Sequence, residues 1–399
     1  MKIFFKDPTF SFEFLRMLSE AIYGGSDINE CFATAARIQE GDSESWHQEW
    51  LRTAERIQRI ADICLSQGHT VSAREAYLRA SNYYRCAEFF LHMDMDTIDP
   101  RAIVTYDKSV QCFHQAAGLF AFPCEQIEIP YEGTTLPGYF YRPDDSTTPR
   151  PTLLIHGGYD STGEELYFGN VPAALQRGYN CLTFEGPGQG RAIRYQNLPF
   201  RPDWEKVVGP VIDYALTRPE IDPARIALEG RSLGGYLAPR AAAFDHRLVA
   251  CIAVDGLFSF IPAETIQANN RNFASTSEAD INAYIKNEMK NSLNMRWAFS
   301  QGMWTMQAGS LLECVQMMAK YTMDGIADQV TCPTLICDAQ ADHAFAGQPK
   351  ILYDALTCPK TYLLFTVEDA AEEHCHEGAT LLFNQRVFDW LDETLNIHS

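Results

Sequence analysis

The sequence has no long hydrophobic run, no excess of basic charge and no closely paired cysteines, and each absence removes a class of function. No stretch approaches the roughly 18 consecutive apolar residues of a membrane-spanning helix. The segment Met1 to Pro8 holds only the short run Ile3-Phe4-Phe5 before charge and proline return, too little for the core of an export signal. Lys and Arg total 32 against 52 Asp and Glu, a formal charge of −20 at pH 7. Nucleic acids and anionic membrane surfaces both demand a basic footprint, so neither is an expected partner. Twelve cysteines occur, none in a C-x-x-C pair, and Cys181, Cys251 and Cys337 fall within apolar segments. They are expected to be reduced, small and buried, and the expected location is cytoplasmic. At 399 residues, with 46% hydrophobic and 21% charged, the chain suits one large α/β domain and a second unit.

Residues 1–122 read as helical. From Glu44 to Leu65 the residues Trp46, Trp50, Leu51, Ala54, Ile57, Ile60, Ala61 and Cys64 recur at helical spacing, and Gly68 follows as a stop signal. A second helix, Ser72 to Leu91, carries Ala73, Ala76, Tyr77, Ala80, Tyr83, Tyr84 and Ala87. The pair looks like one tetratricopeptide-style hairpin, but no second copy follows at the period of about 34 residues that an array needs. A helical cap packed on a neighbour is expected in preference to a peptide-binding array.

Near Pro123 the period changes. Ile127, Ile129 and Tyr131 alternate, Gly133-Thr134-Thr135 turns, and Leu136 to Tyr141 returns as a second strand. From Thr152 onward short apolar strands (Thr152–Ile155, Asn180–Phe184, Arg225–Leu228, Leu248–Val254, Thr334–Cys337, Lys360–Phe365) alternate with helical segments. That rhythm predicts an α/β fold for residues 123–399, a mostly parallel sheet with helices on both faces. Residues 257–328 break it: no strand is visible, and the segment holds seven of the eleven methionines together with Trp297, Phe299 and Trp304. A helical lid over the strand ends is expected there, with Trp297, Met303 and Trp304 facing an adaptable apolar pocket.

Gly230-Arg231-Ser232-Leu233-Gly234 follows one of these strands and precedes an alanine-rich helix. G-x-S-x-G at a strand-to-helix turn holds a serine hydroxyl exposed above the sheet, with the next amide, on Leu233, aimed where an oxyanion would form. Such a nucleophile needs a base and an acid that orients it, and on a doubly wound sheet both come from loops after later strands. Asp338 and Asp342 are the acid candidates; Asp342 is favoured because it sits further into its loop, from where it can reach across. His374 and His376 are the base candidates. His374-Cys375-His376 also invites a zinc reading, but adjacent side chains seldom converge on one tetrahedral site, so no metal and no cofactor are expected. His156-Gly157-Gly158-Tyr159-Asp160 follows the first buried strand, and the amides of Gly158 and Tyr159 complete the expected oxyanion hole. Glu185-Gly186-Pro187-Gly188-Gln189-Gly190 lacks the dinucleotide-binding order and is expected at the rim of the site. Asp160, Glu165 and Glu264 are conceivable substrate contacts, Asp255 lies near the same edge, and His47, His114 and His246 read as surface or packing residues.

His156-Gly157-Gly158-Tyr159-Asp160, Phe184 to Gly190, Gly230 to Gly235 and Glu373-His374-Cys375 together resemble the fermentation-respiration-switch-type branch of the α/β-hydrolases. The branch takes in 2,6-dihydropseudooxynicotine hydrolase and fungal polyketide-processing hydrolases of the fusarin and pigment type. Tyr77 to Arg85 resembles its helical cap, so the likeness spans nearly the whole chain. The resemblance implies the α/β-hydrolase fold, favours His374 over His376 as base, and implies hydrolysis of a carbon–carbon bond beside a ketone, or of an ester, lactone or amide, in an apolar polyketide-type intermediate. Ala339 stands where many such loops have glycine. Ring closure by the same triad, or a non-catalytic binding role for the helical half, are the competing expectations. A small apolar molecule is the expected partner, and a homodimer is compatible with everything above.

Overall fold

In the computed structural model, which describes residues 3–95, 97–261 and 277–397, eight strands form one sheet. They are β1 (Cys124–Tyr131), β2 (Thr134–Tyr141), β3 (Arg150–His156), β4 (Asn180–Phe184), β5 (Ile221–Arg231), β6 (Ala250–Val254), β7 (Thr334–Ala339) and β8 (Lys360–Phe365). Their spatial order is β1-β2-β4-β3-β5-β6-β7-β8. The β1/β2 and β2/β4 pairs are antiparallel and every later pair is parallel. β4 and β6 are buried along their whole length, as strands covered on both faces must be. Because β3 lies between β4 and β5, the path across the sheet reverses there, and ligands of such sheets bind beyond the carboxyl ends at the reversal.

Among the described residues five α-helices precede the sheet: α1 (Pro8–Ser19), α2 (Ile28–Ala35), α3 (Ser43–Ser66), α4 (Thr70–Glu88) and α5 (Pro100–Ala117). Asp7 starts α1 by accepting the amides of Thr9 and Phe10, with Pro8 in the first turn, and Asp42 starts α3 in the same way. α3 and α4 form the expected hairpin, with Trp46 and Trp50 fully buried and Trp50 set 5.5 Å from the Tyr83 ring. Within the sheet region come α6 (Glu165–Gln176), α7 (Gly190–Arg194), α8 (Glu205–Ala215) and α9 (Gly234–Phe244). Between β6 and β7 lie α10 (Glu278–Asn291), α11 (Leu293–Thr305) and α12 (Leu311–Met318), and α13 (Gln348–Ala355) and α14 (Thr380–Leu395) follow. The expected lid therefore contains α10 to α12, while residues 262–276, Glu264 included, lie outside the described residues.

Alternation along β3 divides the core. Leu153 and Ile155 point into an apolar cluster that also holds Trp46, Trp50 and Tyr83, whereas Leu154 joins Val208, Leu237 and Ile336 on the opposite face. The N-terminal helices are thus built into the core of the sheet rather than hung beside it. All twelve cysteines are free. No helix among the described residues is long and apolar enough to cross a membrane.

Candidate active site

β5 ends at Arg231, and Ser232 follows with φ 59°, the left-handed region that a residue with a side chain occupies only when its surroundings hold it there. α9 starts two residues later. A Cβ at position 230 would lie 2.1 Å from the Gly234 carbonyl oxygen, so the strand and helix meet too closely for any side chain there. The tight turn leaves the Ser232 hydroxyl at the carboxyl edge of the sheet.

The Ser232 hydroxyl donates to His374 Nε2 at 2.9 Å. His374 begins a short 3₁₀ turn, His374–His376, that follows β8, and Cys375 and His376 both take positive φ so that the turn folds back over the sheet edge. His374 Nδ1 donates in turn to Asp342 Oδ1 at 3.0 Å. The same oxygen accepts the amides of Ala344 at 2.7 Å and Phe345 at 3.1 Å, so the loop after β7 locks the carboxylate in place. Asp338, the other acid candidate, belongs to β7 itself, and its carboxylate accepts the Tyr362 hydroxyl of β8. His376, the other base candidate, is sandwiched between Phe365 and Phe383 and turned toward the Ala371 carbonyl. A second carboxylate, Asp255 at the end of β6, also lies 3.0 Å from His374 Nδ1.

Burial lowers the His374 pKa, and the facing carboxylates of Asp255 and Asp342 oppose it, raising the imidazolium pKa. Cys375 adds nothing at neutral pH, because burial pushes its own thiol up to about 12. Once the ring is neutral, the Nδ1 hydrogen bond to Asp342 fixes the tautomer that leaves Nε2 free to accept a proton from Ser232. Asp255, His374 and Cys375 also bring one oxygen, one nitrogen and one sulfur within 4.8 Å of one another. We read them as hydrogen-bonding partners and not as metal ligands: Asp255 Oδ2 already accepts the Cys375 amide at 2.5 Å and faces the Nδ1 proton.

The loop after β3 differs from expectation in one atom. The Gly158 amide donates to Ser161 Oγ at 3.2 Å and so is not directed at substrate. Of the three expected oxyanion donors, the amides of Leu233 and Tyr159 remain candidates. Gly158 matters instead for what it lacks: a Cβ there would sit 2.7 Å from the Leu233 nitrogen and 2.9 Å from Ser232 Cβ. Gln189 braces this loop by donating to the carbonyls of Gly157 and Gly158 at 2.9 and 3.0 Å. The glycine-rich segment expected at the rim is therefore a buried strut behind the loop that follows β3.

Ser232 and His374 open onto a cavity of about 700 Å³. Its apolar wall includes Phe12, Phe89, Phe260, Trp297, Phe299 and Phe345, and its lining also carries the charged residues Glu13, Arg16, Asp160 and Glu165. Trp297, Asp160 and Glu165 thus stand where the sequence places them, but the two acids are already held. Arg16 reaches Asp160 at 2.7 Å and grips Glu165 through two nitrogens at 2.6 and 2.7 Å. Met303 and Trp304 do not line the cavity. They lie about two helical turns, roughly 10 Å, beyond Trp297. Trp304 stacks flat on His92 at 4.2 Å, and Met303 packs against the Ile285–Met289–Leu311 cluster. Of the seven lid methionines only Met318 reaches the cavity wall. Sequence reasoning missed Phe12, Arg16 and His343, whose ring is 5.6 Å from that of His374. The available signal was Glu13 and Arg16, two charges three residues apart within the buried stripe of α1.

A family model described as "Esterase FrsA-like" matches residues 27–271. The hydrolyase poxO of Penicillium oxalicum is 36% identical, with 100% of both chains covered. The 20-hydroxy-prefusarin hydrolase FUS2 of Gibberella moniliformis is 34% identical, covering 99% of this chain and 98% of its own. Among solved structures, 2,6-dihydroxy-pseudo-oxynicotine hydrolase aligns with a TM-score of 0.74 over 95% of each chain at 23% identity, a likeness of fold.

Proposed function

Because the chain belongs to the FrsA-like esterase family and has the α/β-hydrolase fold, we propose that it is a serine-nucleophile hydrolase of an apolar polyketide-type intermediate in secondary metabolism. The observation that carries this reading is the continuous hydrogen-bonded chain from Ser232 through His374 to Asp342 at the wall of a large aromatic cavity. The relatives support the hydrolytic class and its metabolic setting, since FUS2 is named for a fungal metabolite precursor.

In the proposed reaction Ser232 Oγ attacks a substrate carbonyl while His374 Nε2 takes its proton. The amides of Leu233 and Tyr159 receive the oxyanion, a term worth about 2.7–4 kcal/mol for each donor lost. His374 then returns the proton to the leaving group. For an ester, lactone or amide that group is an oxygen or nitrogen; for a bond beside a ketone it is carbon, which departs as an enolate and is protonated by the same imidazolium. Water, activated by His374, releases the acid from Ser232. The apolar wall favours a sizeable, sparingly hydrated acyl portion, and we assign the helical cap, residues 1–122, the task of closing the cavity over it.

Turnover of candidate polyketide esters and β-diketones in ¹⁸O-water, followed by mass spectrometry, tests the reading. One labelled oxygen in the acid product is expected. An acyl portion closed on its own amine or hydroxyl, free of label and with the leaving group released, would mean ring closure in place of hydrolysis. No turnover, together with no labelling of Ser232 by a fluorophosphonate, would return the chain to a binding role.

A further inference from the structure

His374 Nδ1 has one proton and two carboxylates facing it. Asp342 Oδ1 and Asp255 Oδ2 both lie at 3.0 Å, and both side chains are closed to solvent. Asp255 is not there by accident of packing. It ends β6 with φ 55°, a left-handed conformation that a residue with a side chain keeps only when the surroundings over-determine it. The space for that bend is made by Gly235, where a Cβ would strike the Asp255 carbonyl oxygen at 2.8 Å. The Cys375 amide, next to the base, donates to Asp255 Oδ2 at 2.5 Å, so the turn carrying the imidazole is fastened to this carboxylate directly. Asp342, by contrast, is fastened to its own loop through Ala344 and Phe345.

Resting on the serine-hydrolase reading above, we infer that Asp255 is a second positioning residue of the triad, which shares the Nδ1 proton of His374 with Asp342 and anchors the turn that presents the base. The two acids arrive on different elements, one from the strand after the nucleophile strand and one from the loop after the next. Loss of either leaves the tautomer of His374 defined by the other. The remaining groups around the ring are Ser232 from the elbow, Phe12 from α1, His343 and Phe345 from the loop after β7, and Cys375 and His376 from its own turn. Burial pushes the His343 pKa down to about 4, so that ring is uncharged at neutral pH, as is the Cys375 thiol. The charges that set the basicity of His374 are therefore those of Asp255 and Asp342.

The test compares wild type, D255N, D342A and the double variant by kcat/KM against pH on an activated ester, and by ¹⁵N-histidine NMR of the His374 pKa. Catalysis needs neutral His374, so kcat/KM rises with pH through that pKa. Removing one negative charge makes the imidazolium less stable, and the rise moves to lower pH. We expect D255N to lower the His374 pKa and the acidic limb together by about one to three pH units. We expect D342A to lose far less than the about 10⁴-fold seen when a triad loses its only acid, and the double variant to lose that full amount. A D255N protein that is folded but keeps the wild-type limb and NMR pKa overturns the inference. If D255N does not fold, D342A decides: a His374 pKa still above the ordinary 6.5 supports Asp255, and a drop to that value or below with an about 10⁴-fold loss contradicts it. Fluorophosphonate labelling of wild-type Ser232 runs alongside, because its failure would reject the hydrolase reading itself, whereas the outcomes above concern Asp255 alone.

Discussion

At Ser232 the chain holds a left-handed backbone angle of 59°, a strain of about 1–3 kcal/mol that persists only because β5, α9 and the loop after β3 enclose it. Gly158 is part of that enclosure, since any side chain there would collide with the Leu233 nitrogen and Ser232 Cβ. If the loop after β3 supplies an oxyanion donor as proposed, G158A is expected to fold yet lose about 10²–10³-fold in kcat, because that loop must retreat from the elbow; steady-state kinetics with a circular-dichroism control checks it. Equal kcat in G158A would mean that the amides of Leu233 and Tyr159 do not serve the reaction. At this scale the sequence was informative where the feature is a short pattern at the end of a strand, as with Ser232, His374 and the glycines. It was less so where two candidates stood close together. Asp338 is set aside by the extension of β7 to Ala339, and His376 by the backbone angles of the 374–376 turn, neither of which leaves a mark in composition or spacing.

Among elements, α1 is the one whose importance a linear reading understates. In the sequence it is only part of the helical stretch 1–122, yet Phe12 approaches the His343 ring at 4.6 Å and Arg16 binds two acids that line the cavity. These contacts span about 145 positions of sequence for Arg16 and more than 300 for Phe12, and helical periodicity carries no information about them. Replacing Arg16 with methionine would remove the cation facing Asp160 in a buried site and leave Glu165 with Arg85, at 3.3 Å. The expected cost is about 3–5 kcal/mol by urea unfolding, smaller at lower pH because protonation removes the stranded charge. A cost below about 1 kcal/mol would mark the cluster as solvated and loosely held. The lid teaches the converse. Its methionines and Trp304 suggested a pocket wall by composition, but at this point of α11 the helix has passed the cavity and packs on the cap instead.

For the molecule as a whole, the deciding fact is that the N-terminal helices and the sheet share one apolar cluster, from Trp46 and Trp50 through Ile155 to Leu335. Full-length protein is therefore expected to unfold in a single transition, and W50A to lower its stability by about 3–5 kcal/mol. Two separated calorimetric transitions would show that cap and body fold independently. The likeness to poxO covers the whole chain, and the N-terminal helices contribute Phe12, Glu13, Arg16 and Phe89 to the lining of the cavity. The central claim remains the nucleophile, and intact-mass spectrometry after exposure to a fluorophosphonate tests it most directly. One adduct is expected on the wild-type protein, mapped to Ser232, and none on S232A. A wild-type protein that stays unlabelled, or an adduct that persists in S232A, would contradict the account.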